Sequence, residues 1–334
     1  MSGGGKLGFD ALNTALKAAG EETRLRVLAL LAEAELTVSD LTDILRQSQP
    51  RISRHLKLLV EAGLVERFRE GTWAFFRLAE HGAGADVGQA LIERLDPGDQ
   101  TVKRDHERLA SVRQARATAA QAYFRAHAAE WDRIRKLHVA DAAVEDAIRA
   151  ALSDKPFRSL LDLGTGTGRM LEMFGPDIER GLGLDLSLDM LLLARDRLER
   201  AGLRNCSVRQ GDIYDLPLAN DSFDVVILHQ VLHFLDDGAR AIREAARVLR
   251  PGGRLLVVDF APHEQEFLRE QFAHRRLGFA SETVTQWITA SGLDPVMHKS
   301  LAPEPGSEGK IAVSLWLARD TRALMATPLR REVA

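Results

Sequence analysis

Ser159-Leu160-Leu161-Asp162-Leu163-Gly164-Thr165-Gly166-Thr167-Gly168-Arg169 decides how the C-terminal half of this chain reads. The apolar run Leu160 to Leu163 has the length of a buried strand. It breaks into three glycines at alternate positions, and the amphipathic run Met170 to Phe174 follows. The order is strand, tight turn, helix. Glycines at such a turn let the backbone approach a ligand closely, and the helix start adds N–H donors without intrahelical partners.

The same alternation continues downstream. Gly181 to Asp185, Asn205 to Gln210, Asp221 to His229 and Arg254 to Asp259 read as strands, with helices at Met190 to Arg200 and Ala239 to Leu249. Two further strands are expected at about Pro295 to Leu301 and Ile311 to Ala318. Strands alternating with helices imply an α/β Rossmann-like domain with a seven-stranded, mostly parallel sheet.

The glycines do not follow the dinucleotide spacing G-x-G-x-x-G, because Arg169 stands where the third glycine belongs. The spacing is D-x-G-x-G-x-G, which resembles the first motif of class I S-adenosylmethionine (SAM)-dependent methyltransferases. The resemblance covers roughly Arg158 to Asp320. It implies that Asp162, Gly164, Gly166 and Gly168 lie near the amino-acid part of SAM. Asp185, with Leu186 after it, takes the place of the strand-end acid that holds ribose hydroxyls. It also implies that Asp212 meets the adenine amino group, Ile213 the ring face, and His229 the neighbourhood of the methyl donor. The Leu249-Arg-Pro-Gly-Gly253 turn is a feature of small-molecule methyltransferases. Cys206 is expected as a small core residue.

The chain has 334 residues, more than one typical domain. With 45% hydrophobic and 28% charged residues it has an ordinary globular composition. A net charge of −3 means that a nucleic-acid contact must come from a local patch. A single cysteine excludes a disulfide framework within the chain and sites built from several thiolates, and it fits a reducing compartment. The start lacks the apolar core of a signal peptide, and no apolar run approaches the ~20 residues that span a bilayer. A cytoplasmic protein with no membrane partner is expected.

The N-terminal third reads differently. Met1 to Lys6 reads as a disordered start, and helices follow at Phe9 to Ala19 and Glu21 to Ala34. Thr37-Val-Ser-Asp40 reads as a capping box opening the helix Val38 to Leu45. Ser48 is placed to cap a helix from Gln49 to about Ala62, ended by Gly63, with Pro50 tolerated in its first turn. Leu64 to Arg69 and Thr72 to Leu78 then read as a hairpin turning at Glu70-Gly71. This is the order of an α+β winged helix-turn-helix. Glu22-Glu-Thr-Arg-Leu-Arg-Val-Leu, Ser48-Gln-Pro-Arg-Ile-Ser-Arg-His-Leu-Lys-Leu-Leu, Glu61-Ala-Gly-Leu-Val and Gly71-Thr-Trp resemble the ArsR/SmtB regulators over roughly Leu12 to Glu80.

In the helix Gln49 to Ala62, Ile52, His55, Leu56, Leu59 and Val60 supply the buried side. That leaves Gln49, Arg51, Ser53, Arg54 and Lys57 for DNA, with Arg69 on the wing. Gln and Arg suit base edges, Lys and Ser suit phosphates. Between Arg46 and Arg77 positive charges exceed negative ones by four, the local footprint of a DNA reader. The resemblance implies a homodimer on a double-stranded operator. Family members that sense soft metals carry Cys-x-Cys on the third helix. Here the matching stretch is Glu35-Leu-Thr37-Val-Ser39-Asp-Leu, and hydroxyls replace the thiols. No thiolate metal site is expected there, and no other metal site is assigned.

Ala79 to Leu95 reads as a further helix, the kind that builds the dimer in that family. Asp96-Pro97-Gly98-Asp99 marks a boundary. A polar helix from Lys103 to Gln121, an aromatic stretch Tyr123 to Asp132 and a helix from Leu137 to Leu152 follow. The aromatic stretch reads either as a lid over the cofactor, as in many class I methyltransferases, or as plain packing. The expected domains are residues 1–95, a connector and lid at 96–155, the methyltransferase-like domain at 156–320 and a tail at 321–334.

Catalytic groups are not fixed by the sequence. The candidates to take a proton from an acceptor are His229, His233, Tyr123, His263 and His274. No Asn-Pro-Pro-aromatic stretch follows the fourth strand and no Pro-Cys occurs, so adenine or glutamine amino-methylation and cytosine C5 attack are not expected. Two functions remain. The chain is a regulator whose methyltransferase domain senses SAM or S-adenosylhomocysteine (SAH), in control of the methionine/SAM cycle. Alternatively it is an active small-molecule methyltransferase whose winged helix serves autoregulation or docking.

Overall fold

The computed structural model describes residues 7–70, 72–79, 82–128, 141–303 and 310–322, apart from the side chains at 117 and 141. The expected disordered start, the hairpin turn at Gly71, the Trp131 end of the aromatic stretch, the first residues of the helix from Leu137 and most of the tail lie outside these residues. The chain divides into two compact units, Met1–Thr118 and Ala119–Ala334.

The first unit carries α1 (Phe9–Ala19), α2 (Glu22–Glu33), β1 (Leu36–Thr37), α3 (Val38–Leu45), α4 (Gln49–Glu61), β2 (Val65–Glu70), β3 (Trp73–Leu78) and α5 (Ala83–Ile92). The Thr37 hydroxyl accepts the Asp40 N–H and the Asp40 carboxylate accepts the Thr37 N–H, so the capping box forms as read. Ser48 is the N-cap of α4, but its side chain makes no capping bond, and Pro50 sits in the first turn. The hairpin gains a third strand that the sequence did not signal. β1 is only two residues long and pairs antiparallel with β3, Leu36 opposite Phe76. Leu28, Leu41, Ile52, Leu56, Leu59 and Phe76 close one core.

α6 (Gln100–His127) is one uninterrupted helix, where the sequence suggested a connector followed by a separate aromatic stretch. Its residues up to Thr118 belong to the first unit. There Leu109 enters the core, and the Arg26 guanidinium donates two bonds of 2.6 and 2.7 Å to the buried Asp105 carboxylate. Arg116 pairs with Asp40, and Arg108 donates to the Ile44 carbonyl.

The second unit continues with α7 (Asp141–Leu152), β4 (Ser159–Leu163), α8 (Arg169–Phe174), β5 (Arg180–Asp185), α9 (Leu188–Arg200), β6 (Cys206–Gln210), β7 (Phe223–His229), α10 (Gly238–Val248), β8 (Leu249–Phe260), α11 (Phe267–Phe272), α12 (Ser281–Ala290), β9 (Leu293–Leu301) and β10 (Val313–Asp320). The strands form a seven-stranded sheet in the order β6-β5-β4-β7-β8-β10-β9. The five strands β4 to β8 are parallel, and β10 runs antiparallel to β8 and β9.

Alternation along the strands builds a core on each face. Leu160, Val225, Ile227, Leu256 and Val258 lie in one core; Leu161, Val226, Leu228, Leu255 and Val257 lie in the other. One boundary differs from the sequence reading. The Arg250-Pro-Gly-Gly253 turn was expected to precede the fifth strand, but β8 begins at Leu249 and includes it. The pairing with β7 shifts register between Phe223 and Val225, and Gly252 takes φ +76°, so the turn is absorbed as an irregularity.

Candidate functional site

The strand order reverses between β4 and β7, and the ends of the parallel strands meet there. Open α/β sheets place ligands at this point. The Leu184 carbonyl, on β5, accepts the Gly164 N–H at 2.8 Å and the Thr165 N–H at 2.9 Å. Gly164, Gly166 and Gly168 take φ of +69°, +53° and +84°, a region that side chains disfavour. At Gly164 a Cβ would lie 2.4 Å from the Val231 Cγ2, so the turn is closed against the β7 end as well as strained.

Two carboxylates hold this turn. The buried Asp162 accepts the Thr165 hydroxyl at 2.6 Å. Asp185, at the end of β5, accepts the Gly166 N–H at 2.9 Å on one oxygen and the Ser187 N–H at 2.8 Å on the other. Desolvation raises the Asp185 pKa, although N–H bonds from Ser187, Gly166 and Leu186 oppose it. A cationic ligand nearby would relieve that desolvation. Each carboxylate oxygen has a second lone pair, so ligand hydroxyls have acceptors here.

The remaining candidates for the adenosyl group line the same edge. Leu186 is 40% exposed directly after Asp185. The Gly211 N–H donates to the Asp185 carbonyl at 3.1 Å, which brings the Asp212-Ile213 pair beside it. Asp212 is exposed and accepts the Tyr214 N–H, while Ile213 is buried. His229 ends β7, half-buried, opposite Val258. The set suits SAM: a glycine cradle closed to Cβ atoms, a desolvated acid at the second strand end and an apolar residue at the third. Bound there, SAM supplies a methyl group on a sulfonium.

Three of the catalytic candidates come together in a ring cluster, and Tyr123 joins it. His233 lies in a short 3-10 turn after β7 and is 2% exposed. Its ring sits 4.0 Å from Phe234, 4.8 Å from Phe260 and 4.2 Å from His274. Phe260 is 5.8 Å from His263. Tyr123 and Phe124, on the second-unit end of α6, reach Phe272 at 6.3 Å and Phe234 at 4.9 Å. Burial pushes the Tyr123 phenol up to about 12 and the His263 imidazole down to about 4.

Asp259 is the residue that sequence reading missed. It is fully buried near the end of β8 and accepts the His233 Nδ1 at 2.8 Å and the Phe260 N–H at 2.8 Å. An acid closing an otherwise apolar central strand was the available signal.

In the first unit, Gln49, Arg51, Ser53, Arg54 and Lys57 all lie on the exposed side of α4, with Ile52, Leu56 and Leu59 on the buried side. Arg69 is exposed on β2. His55 is half-buried, 3.5 Å from Glu21, and desolvation lowers its pKa. Cys206 is half-buried against the core of the second unit, and burial raises its thiol pKa. Among the described residues no His, Cys, Asp and Glu group is arranged to hold a metal ion, and no helix is long and apolar enough to cross a membrane.

The fold and the glycine-turn site define a SAM-dependent methyltransferase domain preceded by a winged helix-turn-helix. Family profiles agree on both: a methyltransferase domain matches residues 161–257, and the bacterial regulatory protein, arsR family, matches residues 21–67. A demethylmenaquinone methyltransferase of Thermobifida fusca is 30% identical over 165 residues, 47% of this chain and 68% of that one. The chain belongs to the class I SAM-dependent methyltransferases and carries an ArsR-type head. An uncharacterised methyltransferase of Bacillus subtilis, YcgJ, is 34% identical over 115 residues, 34% of this chain and 46% of the relative. Three of the curated relatives are covered over only 46%, 31% and 43% of their length. A chain from the complex of the Haloferax volcanii Trm112 methyltransferase activator shares the fold at TM-score 0.51 and 22% identity, over 60% of this chain and 97% of that one.

Proposed function

We propose that the chain is a DNA-binding transcriptional regulator whose methyltransferase domain binds SAM or SAH as its signal, in control of the methionine/SAM cycle. Gln49, Arg51, Ser53, Arg54, Lys57 and Arg69 contact a double-stranded operator, and the head works as a homodimer. Asp162, Gly164, Gly166, Gly168, Asp185, Leu186, Asp212, Ile213 and His229 hold the adenosyl ligand. The observation that carries this reading is that one chain holds both an exposed polar face on α4 (Gln49, Arg51, Ser53, Arg54 and Lys57) and a glycine turn whose Gly166 N–H is held by the strand-end acid Asp185. The hydroxyls at Thr37 and Ser39, where related sensors carry thiols, support a signal that arrives from elsewhere in the chain.

Isothermal calorimetry of the full chain with SAH and with SAM tests the ligand. Binding is expected in the wild type and its loss in Asp185→Ala. Retained affinity in that variant contradicts the pocket assignment.

A second reading, methyl transfer to a small-molecule acceptor, is favoured by one observation. A histidine and an aspartate are paired beside the strand ends where a methyl acceptor would sit. It is compatible with regulation, since SAM and SAH are then substrate and product of the same site.

A further inference from the structure

The ring cluster and the end of β7 carry polar atoms without partners among the described residues. Tyr123 Oη, Gln230 Nε2 and His263 Nε2 are each buried and form no hydrogen bond to a described residue. Buried polar groups of native proteins are paired in the great majority, so Tyr123 and His263 on one ring cluster, with Gln230 three residues before His233, call for an explanation. Gln230 adds backbone strain. It follows directly on β7 with φ +52°, held by its N–H to the Val258 carbonyl at 2.7 Å. Strained, unpartnered residues gather where a ligand is received.

His233 shows what is done to that ligand. Asp259 accepts Nδ1–H at 2.8 Å, and among the described residues no Lys or Arg pairs with it. A carboxylate on Nδ1 fixes the tautomer, so Nε2 carries the lone pair. Nε2 takes no hydrogen bond from any described residue. Its aromatic neighbours are Phe234 at 4.0 Å and Phe260 at 4.8 Å, with Phe124 packed on Phe234. The titratable groups against it are Asp259 and His274, and the Arg275 and Arg276 N–H groups donate to its carbonyl; His263, one ring further out, faces Arg269 and Glu266. Among the described residues, His233 is the cluster histidine that a carboxylate holds through Nδ1.

We propose that His233 is the general base for methyl transfer to an aromatic hydroxyl compound, with Asp259 as its positioning residue. The acceptor ring packs among the phenylalanines, and Tyr123 Oη and His263 Nε2 serve its polar substituents. The acceptor O–H passes its proton to His233 Nε2, and the imidazolium so formed is stabilised by Asp259. The acceptor oxygen takes the methyl group as the sulfonium C–S bond breaks, and that electron pair stays on sulfur. The products are the methyl ether, SAH and one proton. The proposal deepens the second reading and rests on adenosyl binding at the glycine turn.

The test uses the full chain saturated with SAH and the probe 4-nitrophenol, whose phenolate is coloured. Wild type is expected to bind it with a raised phenolate fraction, and His233→Gln is expected to lose that colour. In a second assay SAM and 2-naphthol are supplied and the methyl ether is measured. His233→Gln is expected to lower kcat about 100-fold or more, the ordinary range for a lost base, with SAH affinity unchanged. Asp259→Asn is expected to lower kcat while KM for 2-naphthol and SAH affinity stay as in wild type.

Wild type that binds SAH but neither takes up 4-nitrophenol nor methylates 2-naphthol overturns the proposal. So does a His233→Gln rate within about threefold of wild type. Collapse of SAH affinity in Asp259→Asn, together with kcat, makes Asp259 a folding residue and overturns its positioning role. Wild type that binds no SAH ends the adenosyl reading and this proposal with it.

Discussion

Replacing Gly164 by alanine tests whether the glycine turn is as tightly determined as its geometry implies. At φ +69° a Cβ costs about 1–2 kcal/mol by crowding its own backbone. The same Cβ would stand 2.4 Å from the Val231 Cγ2 and 2.9 Å from the Val231 Cβ, which adds about 1–3 kcal/mol of overpacking. The expected loss is therefore about 3 kcal/mol in the stability of the second unit, read by urea denaturation without ligand. Val231→Ala removes the nearest contact but leaves its Cβ at 2.9 Å. Combined with Gly164→Ala it should recover part of the steric cost and none of the backbone cost. A loss below about 1 kcal/mol in Gly164→Ala, or no coupling between the two changes, refutes the reasoning.

Arg54→Ala, on the exposed face of α4, should weaken operator binding by about 1–3 kcal/mol if Arg54 reads a base edge; unchanged affinity in an electrophoretic shift assay contradicts the placement of the recognition helix. The pH dependence of stability should carry the mark of His263. Its folded pKa of about 4 lies below the ordinary 6.5, so the unfolded chain binds a proton first as pH falls. Its contribution is present above about 6.5 and is lost progressively towards about 4. His263→Gln should flatten that part of the stability–pH curve, and an unchanged curve contradicts the burial of a neutral imidazole.

Much of the fold was legible because its signals are local. Alternate glycines after Leu160 to Leu163 forced a turn, and strands alternating with helices forced a parallel sheet. Thr37 to Asp40 named its own helix start through hydrogen bonds three residues apart. What stayed hidden depends on partners far along the chain. β1 is two residues long, and only Phe75 and Phe76 across the sheet make it a strand. The Arg250-Pro-Gly-Gly253 turn reads as a break locally, yet pairing with β7 draws it into β8. α6 looked divided because its polar first half and aromatic second half differ in composition. Its Arg26–Asp105 anchor spans 79 positions. In the site, the strand-end acid Asp185 followed from the strand pattern. The His233–Asp259 pair did not, because 26 residues and a helix separate its members.

The central claim is that one polypeptide couples an operator-reading head to a domain that holds an adenosyl sulfur compound. It is tested most directly by fluorescence anisotropy of the full chain on the DNA upstream of its own gene, with and without saturating SAH. The account predicts a change in operator affinity of tenfold or so, which corresponds to about 1.4 kcal/mol of coupling, and its disappearance in Asp185→Ala. Superimposable titrations with and without the ligand, on a protein shown by calorimetry to bind it, would contradict the account.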